Sequence, residues 1–170
     1  SMLTQRYGMK LVLLAGKVWA IGGEGNAGHL DKVEIYDVTN DSWSTGPALS
    51  TARLLPSAWV SNGRIYVAGG LSDGSSFLNS VEVYDSDANQ WIPTNVLPQN
   101  KYRAGTAVIG GKAYVVGGRS ASGVYTDKVF SANLPPPARD LYFRDGNATA
   151  EVATEPALDG NLTITLNMLA

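Results

Sequence analysis

Cysteine is absent from all 170 residues. That excludes disulfides, thiolate metal ligands, cysteine nucleophiles and any cofactor built on a cysteine. Histidine is nearly absent as well. His29 stands alone, so no multi-histidine metal site can be assembled within one chain. Charge is scarce, at 16% Asp, Glu, Lys and Arg against about 25% in soluble domains. Thirteen basic and fifteen acidic side chains leave a net charge of −2. Such a balance gives no electrostatic reason to expect nucleic acid or an anionic membrane as partner. Long apolar runs are missing too. Leu11–Leu14 is far short of the roughly 18 residues of a membrane span, and Lys17 follows it closely. No stretch reads as a helix. Ser1-Met2 is read as a remnant of tag removal and left out of the fold argument.

Glycine, by contrast, is plentiful: 19 of 170 residues, against a usual share of about 7%. Many tight turns are expected. With 44% apolar residues the chain can bury a core, and its length suits one domain.

The glycines fall in a pattern. A hydrophobic run ending in two glycines occurs three times: Val18-Trp19-Ala20-Ile21-Gly22-Gly23, Ile65-Tyr66-Val67-Ala68-Gly69-Gly70 and Ala113-Tyr114-Val115-Val116-Gly117-Gly118. The first glycines lie 47 and then 48 residues apart. Gly16-Lys17, Gly63-Arg64 and Gly111-Lys112 precede the runs, as a hairpin turn feeding a strand would. A second anchor follows each pair. Asp31-Lys32-Val33-Glu34-Ile35-Tyr36-Asp37 matches Asn79-Ser80-Val81-Glu82-Val83-Tyr84-Asp85 at an offset of 48, and Trp43 matches Trp91 at the same offset. A fixed period outranks local signals. Alternation at Val33, Ile35, Val81 and Val83 reads as half-buried strand. The paired glycines permit positive φ and close chain approach. One such sheet cannot cover both of its faces, so neighbouring copies must stack.

These glycine pairs, Val-Glu-Ile/Val-Tyr-Asp segments and following Trp residues resemble kelch repeats over residues 5–133. The resemblance implies an all-β fold, a kelch-type β-propeller in which each repeat is one four-stranded blade. Repeats at 5–50, 51–99 and 100–134 make up residues 1–134. The third departs from the pattern: Ala132 stands where Tyr36 and Tyr84 stood, and Arg139 where Trp43 and Trp91 stood. Inner strands are expected at 10–15, 56–61 and 105–110, second strands at 17–22, 64–69 and 112–117, and third strands at 32–37, 80–85 and 127–132. Outer strands are expected at Trp43, at Trp91 and over Leu141–Arg144.

Three blades form an open arc, a half-propeller whose flanks would expose apolar faces. Two outcomes are open: a homodimer closing a six-bladed ring head to tail, which is favoured, or further propeller blades in a longer chain. Leu134-Pro135-Pro136-Pro137 marks a break, since proline stops strands. Residues 135–170 read as an extended, strand-forming tail, with a strand over Asn161–Leu166. The tail resembles segments that follow kelch repeats in large bacterial surface proteins, which implies an extracellular or cell-surface place; the composition leaves the compartment open.

No catalytic set emerges. One kelch group resembles galactose oxidase, whose copper site needs two His and a Tyr crosslinked to Cys; a chain with one His and no Cys lacks both. No cofactor or metal is expected. The favoured function is therefore a non-catalytic module presenting loops to a protein, peptide or glycan. The alternatives are a structural half-propeller or part of a larger bacterial surface protein, and a sugar-active enzyme with a site shared between two chains. Candidate binding residues lie in the loops after each glycine pair: Asn26 and His29, then Asp73, Ser75, Ser76 and Phe77, then Arg119 and Ser120. Small polar loop residues suit adaptable contacts. Arg6 and Arg53 precede their glycine pairs by 16 residues; Lys101 is the strict equivalent in repeat three, with Arg103 beside it. The resemblance implies that basic residues here line one end of the channel. They could grip a carboxylate bidentately or hold blade to blade through backbone carbonyls.

Overall fold

The computed structural model describes residues 1–73, 76–121 and 124–134, and the backbone alone at 144–145, 151–156 and 162–167. Each repeat folds into one antiparallel sheet. The first comprises Lys10–Leu14, Lys17–Ile21, Val33–Asp37 and Ser42–Thr45. The second comprises Ser57–Ser61, Arg64–Ala68, Val81–Asp85 and Gln90–Thr94. The third comprises Gly105–Ile109, Lys112–Val116, Val129–Asn133 and Arg144–Asp145. In all three the spatial order follows the chain order. These are three blades of a propeller, their first strands side by side at the axis.

The turn between first and second strands shows why the pattern repeats. Leu14 pairs with Lys17, Ser61 with Arg64 and Ile109 with Lys112, leaving two residues to turn the chain. Both take positive φ each time: Ala15 and Gly16 (50° and 72°), Asn62 and Gly63 (49° and 72°), Gly110 and Gly111 (57° and 74°). A two-residue turn of this hand matches the twist of the flanking strands.

Alternation along each strand gives each blade two apolar faces. Trp19, Ile21 and Val33 of blade one meet Ala58, Ile65, Val67, Tyr84 and Trp91 of blade two. Trp59, Tyr66, Val81 and Val83 on the other side of blade two meet Ala113, Val115, Phe130 and Ala132 of blade three. Trp19 and Tyr84 bring their ring centroids to 4.8 Å across the first junction, and Trp91 packs behind Tyr84 at 5.5 Å. Trp91 also donates its indole N–H to the Pro47 carbonyl at 2.9 Å.

The turn from third to fourth strand is built alike in blades one and two. Tyr36 donates to Asp41 at 2.7 Å, and Tyr84 to Asn89 at 2.9 Å. Asp37 and Asp85 accept from the backbone N–H groups two and three residues on. Blade three has Ala132 in place of the Tyr. Its fourth strand comes only at Arg144–Asp145, paired with Ser131 and Phe130. The expected Leu141–Phe143 portion lies outside the described residues. In the tail, Glu151–Pro156 pairs antiparallel with Leu162–Asn167, so the expected strand begins one residue later, and Asn161 lies outside the described residues.

One expectation is corrected. The segment after Gly22-Gly23 reads from the sequence as a loop. It is a miniature hairpin, Glu24–Gly25 against Gly28–His29, repeated as Leu71–Ser72 against Ser76–Phe77 and Arg119–Ala121 against Val124–Tyr125. Extra pairing comes from the segment leading into each blade: Tyr7 bridges Glu24, Leu54 bridges Leu71 and Tyr102 bridges Arg119. Two backbone bonds hold the bridge at each end, which a flexible loop would lack.

Candidate functional site

The lead-in segments and hairpins cluster at one end of the blades, and a buried base roots each pair. Arg53 donates to the carbonyls of Gly69 (2.7 Å) and Ser80 (3.0 Å), to the Ser80 hydroxyl and to the Glu82 carboxylate at 2.9 Å. Arg6 makes the same set in blade one, to Gly22, Lys32 and Glu34. The second carboxylate oxygen of each Glu takes a backbone N–H three residues before the base: Leu3 to Glu34 and Ser50 to Glu82, both at 2.8 Å. Both Arg side chains are 0% exposed. Neither offers a guanidinium to an outside carboxylate; each is spent within its own blade.

Ionisation follows this burial. Burial pushes the Glu34 carboxyl up, but hydrogen bonds from Thr4 and Leu3 and the Arg6 charge outweigh it and hold the group below the usual range. Burial draws the Arg53 guanidinium down, against the opposing pull of Glu82. A buried pair of this kind is costly to break, because the surviving partner has no water.

Blade three keeps a buried base and changes its neighbours. Lys101 donates to the carbonyls of Gly117 (3.0 Å) and Lys128 (3.2 Å), matching the two carbonyl bonds of each arginine. At the Glu position stands Phe130, whose ring centroid lies 4.6 Å from the ammonium. At the position of the donating Leu3 and Ser50 stands Pro98, which has no N–H to satisfy. Three substitutions thus move together.

Above these roots lie the remaining candidates, with Arg103 exposed and Phe77, Arg119 and Ser120 half-buried. Phe77 and Tyr102 meet edge to face at 5.7 Å, joining the blade-two hairpin to the lead-in of blade three. The Arg103 guanidinium lies 5.1 Å from the Tyr102 ring, and that of Arg119 5.5 Å from the exposed Tyr125 ring. Among the described residues neither Arg103 nor Arg119 has a carboxylate within ion-pair distance. The structure thus gathers Phe77, Arg103 and Arg119 about Tyr102, with Ser120 next to Arg119. Asp73 and Ser76 are exposed on the Phe77 hairpin. Ser75 lies outside the described residues.

Asn26 and His29 sit apart on the blade-one hairpin. Asn26 lines a shallow recess with Gln5, Arg6, Tyr7 and Glu24. His29 Nε2 is 3.9 Å from Glu24, which accepts a hydrogen bond from the Tyr7 hydroxyl. That bond holds the Tyr7 hydroxyl above its ordinary pKa, with a smaller push from Tyr102 and an offset from Arg103. Sequence reasoning missed Tyr7, Tyr102 and Tyr125. The signal for the first two was their fixed place, one residue after Arg6 and Lys101.

Known proteins bear on this arrangement. A family model described as the kelch motif matches residues 5–50 and 52–94. An F-box/kelch-repeat protein of Arabidopsis thaliana is 34% identical over 70 residues, which are 41% of this chain and 18% of that protein. Kelch-like protein 33 of Homo sapiens is 40% identical over 60 residues, 35% of this chain and 11% of that protein. The chain thus spans a small part of the length of these relatives. The solved structure of YjhT superposes with a TM-score of 0.71 at 18% identity, over 82% of this chain and 51% of that one. With the motif matched over more than half of its length and each match folded as a four-stranded blade, this chain belongs to the kelch-repeat family.

Proposed function

We propose that the chain is a non-catalytic protein-binding module whose contact face is the hairpin end of blades two and three. Kelch repeats generally mediate protein interaction. The observation that carries the reading to this chain is the group of Phe77, Tyr102, Arg103, Arg119 and Tyr125. Two guanidinium groups lie over aromatic rings without a carboxylate partner among the described residues. Aromatic and Arg side chains are the usual anchors of interfaces, and Arg is suited to carboxylates. The ligand class that fits is an acidic peptide segment. Immobilised peptides of matched length, one acidic and one with the acids amidated, test it. The acidic one should bind, and Arg119→Glu should abolish that binding with the thermal midpoint unchanged. Equal retention of both peptides would overturn the reading.

A second partner is the chain itself. Its two outer flanks carry apolar side chains that the inner junctions bury, with Leu11 and Leu13 at one end and Ile109 and Val116 at the other. A second copy would cover both.

A further inference from the structure

We propose that two copies join head to tail into a six-bladed ring through a junction that repeats, bond for bond, the two inside each chain; this rests on the self-pairing just described. The inner junctions share a main-chain code. At the first, Gly23 N–H donates to the Arg53 carbonyl (2.8 Å), Arg53 N–H to Leu30 (3.0 Å) and Leu55 N–H to Gly8 (2.8 Å). At the second, Gly70 donates to Lys101 (2.7 Å), Lys101 to Leu78 (2.9 Å) and Arg103 to Leu55 (3.3 Å). Moved on by one period, the code calls for Gly118 N–H, the Thr126 carbonyl and the Arg103 carbonyl on blade three. Those groups face an Arg6 carbonyl, an Arg6 N–H and a Gly8 N–H from a following blade. Among the described residues none of these six groups has a backbone partner of that kind, and the two ends carry opposite halves of the code.

The glycine pairs point the same way. A Cβ on Gly22 would lie 2.5 Å from the Arg53 carbonyl oxygen, and one on Gly69 2.2 Å from that of Lys101. The glycine there admits the next blade. Gly117 keeps the residue, yet its nearest neighbour is the Thr126 carbonyl at 3.6 Å, in its own blade. Among the described residues nothing takes the place that the next blade takes at Gly22 and Gly69.

Side chains complete the match. Tyr114 holds the place of Trp19, which packs on Tyr84 of the next blade in one cluster with Trp91. Blade one turns Tyr36 and Trp43, in contact with each other at 5.1 Å, toward the side where a preceding blade would stand. Val116 is 43% exposed, whereas Ala68 and Ile21 in its place are 0% exposed. Leu13, 68% exposed, holds the place of Val60, which packs in the same cluster as Ile21. Val116 of one copy thus meets Leu13 of the other. The solved YjhT chain, of which this arc covers 51%, has the length that two such arcs together provide. A second copy carries that face on its blade one.

Sedimentation equilibrium tests this on the full chain. The native protein should show twice its 18.0 kDa mass. Val116→Asp and Leu13→Lys should each yield the single-chain mass, because an unpaired charge would be buried at the junction, while circular dichroism stays that of the native fold. The double variant, Val116→Asp with Leu13→Lys, should restore the dimer, since head-to-tail docking places the new charges together. Tyr114→Ser should weaken the dimer without adding charge. A native mass of 18.0 kDa would overturn self-pairing altogether, and a mass beyond the dimer would overturn closure by two copies. A dimer indifferent to all three single variants would leave self-pairing standing and overturn this junction.

Discussion

Blades two and three carry the same backbone frame on different chemistry at its root. In blade two a guanidinium, a carboxylate and a backbone N–H form a closed set through Arg53, Glu82 and Ser50. In blade three Lys101, Phe130 and Pro98 occupy those places, and the two carbonyl bonds of the base are kept. The constant element is therefore a buried cation tying the first glycine carbonyl to the start of the third strand. The carboxylate is one of two ways to neutralise its surroundings; a ring face with no spare N–H nearby is the other. Polar groups buried together have to be replaced together.

The largest expected effect breaks blade two. Glu82→Ala strands Arg53 in the interior and should cost about 3–5 kcal/mol, read as a lowered urea midpoint. Lys101→Met removes the two carbonyl bonds of the base and should cost less, about 1–3 kcal/mol. Equal losses would mean that the two roots are energetically alike. Next come the glycines. Gly69→Ala drives a methyl into the Lys101 carbonyl and should cost about 4 kcal/mol. Gly117→Ala meets only the strain of a residue at φ 65°, about 1–2 kcal/mol, provided it is measured on the monomeric Val116→Asp background. A smaller effect sharpens the comparison. Phe130→Glu alone should destabilise, and Lys101→Arg with Pro98→Ser should win back about 1–2 kcal/mol of that loss. Additive losses would show that the three sites are not coupled.

The weakest effect concerns acid. Glu34 titrates below the usual carboxylate range when folded. Its contribution is therefore complete above the unfolded value and is lost as pH falls through the folded one. Glu34→Gln should flatten the acid limb of the stability curve and leave the neutral and alkaline limbs parallel to the native ones.

The blades were legible because their signals are periodic and local. Strand, turn and glycine pair recur every 47 or 48 residues, and the observed strands begin and end within about two residues of the expected ones. The third outer strand was legible only in part, because Ala132 lacks the Tyr that ties the preceding turn. The roots were harder. Arg6 and Arg53 stood out, but Glu34 and Glu82 read as the polar half of an alternating strand, and nothing in a strand pattern tells a solvated carboxylate from a buried one. Their role needs a residue 28 or 29 positions away. The binding surface was legible as loops and not as contacts. Phe77 and Arg119 were picked from composition, while their common neighbour Tyr102 is brought in by a bridge between distant segments.

The glycine amides also carry a clock. Gly23 and Gly70 hand their protons to an adjoining sheet, so in deuterated buffer they should exchange only when that sheet lifts away. Among the described residues the corresponding proton on Gly118 has no such shelter in a lone chain, and it should be replaced early. A slow Gly118 signal that quickens on dilution would report, from a single atom, whether the circle is closed.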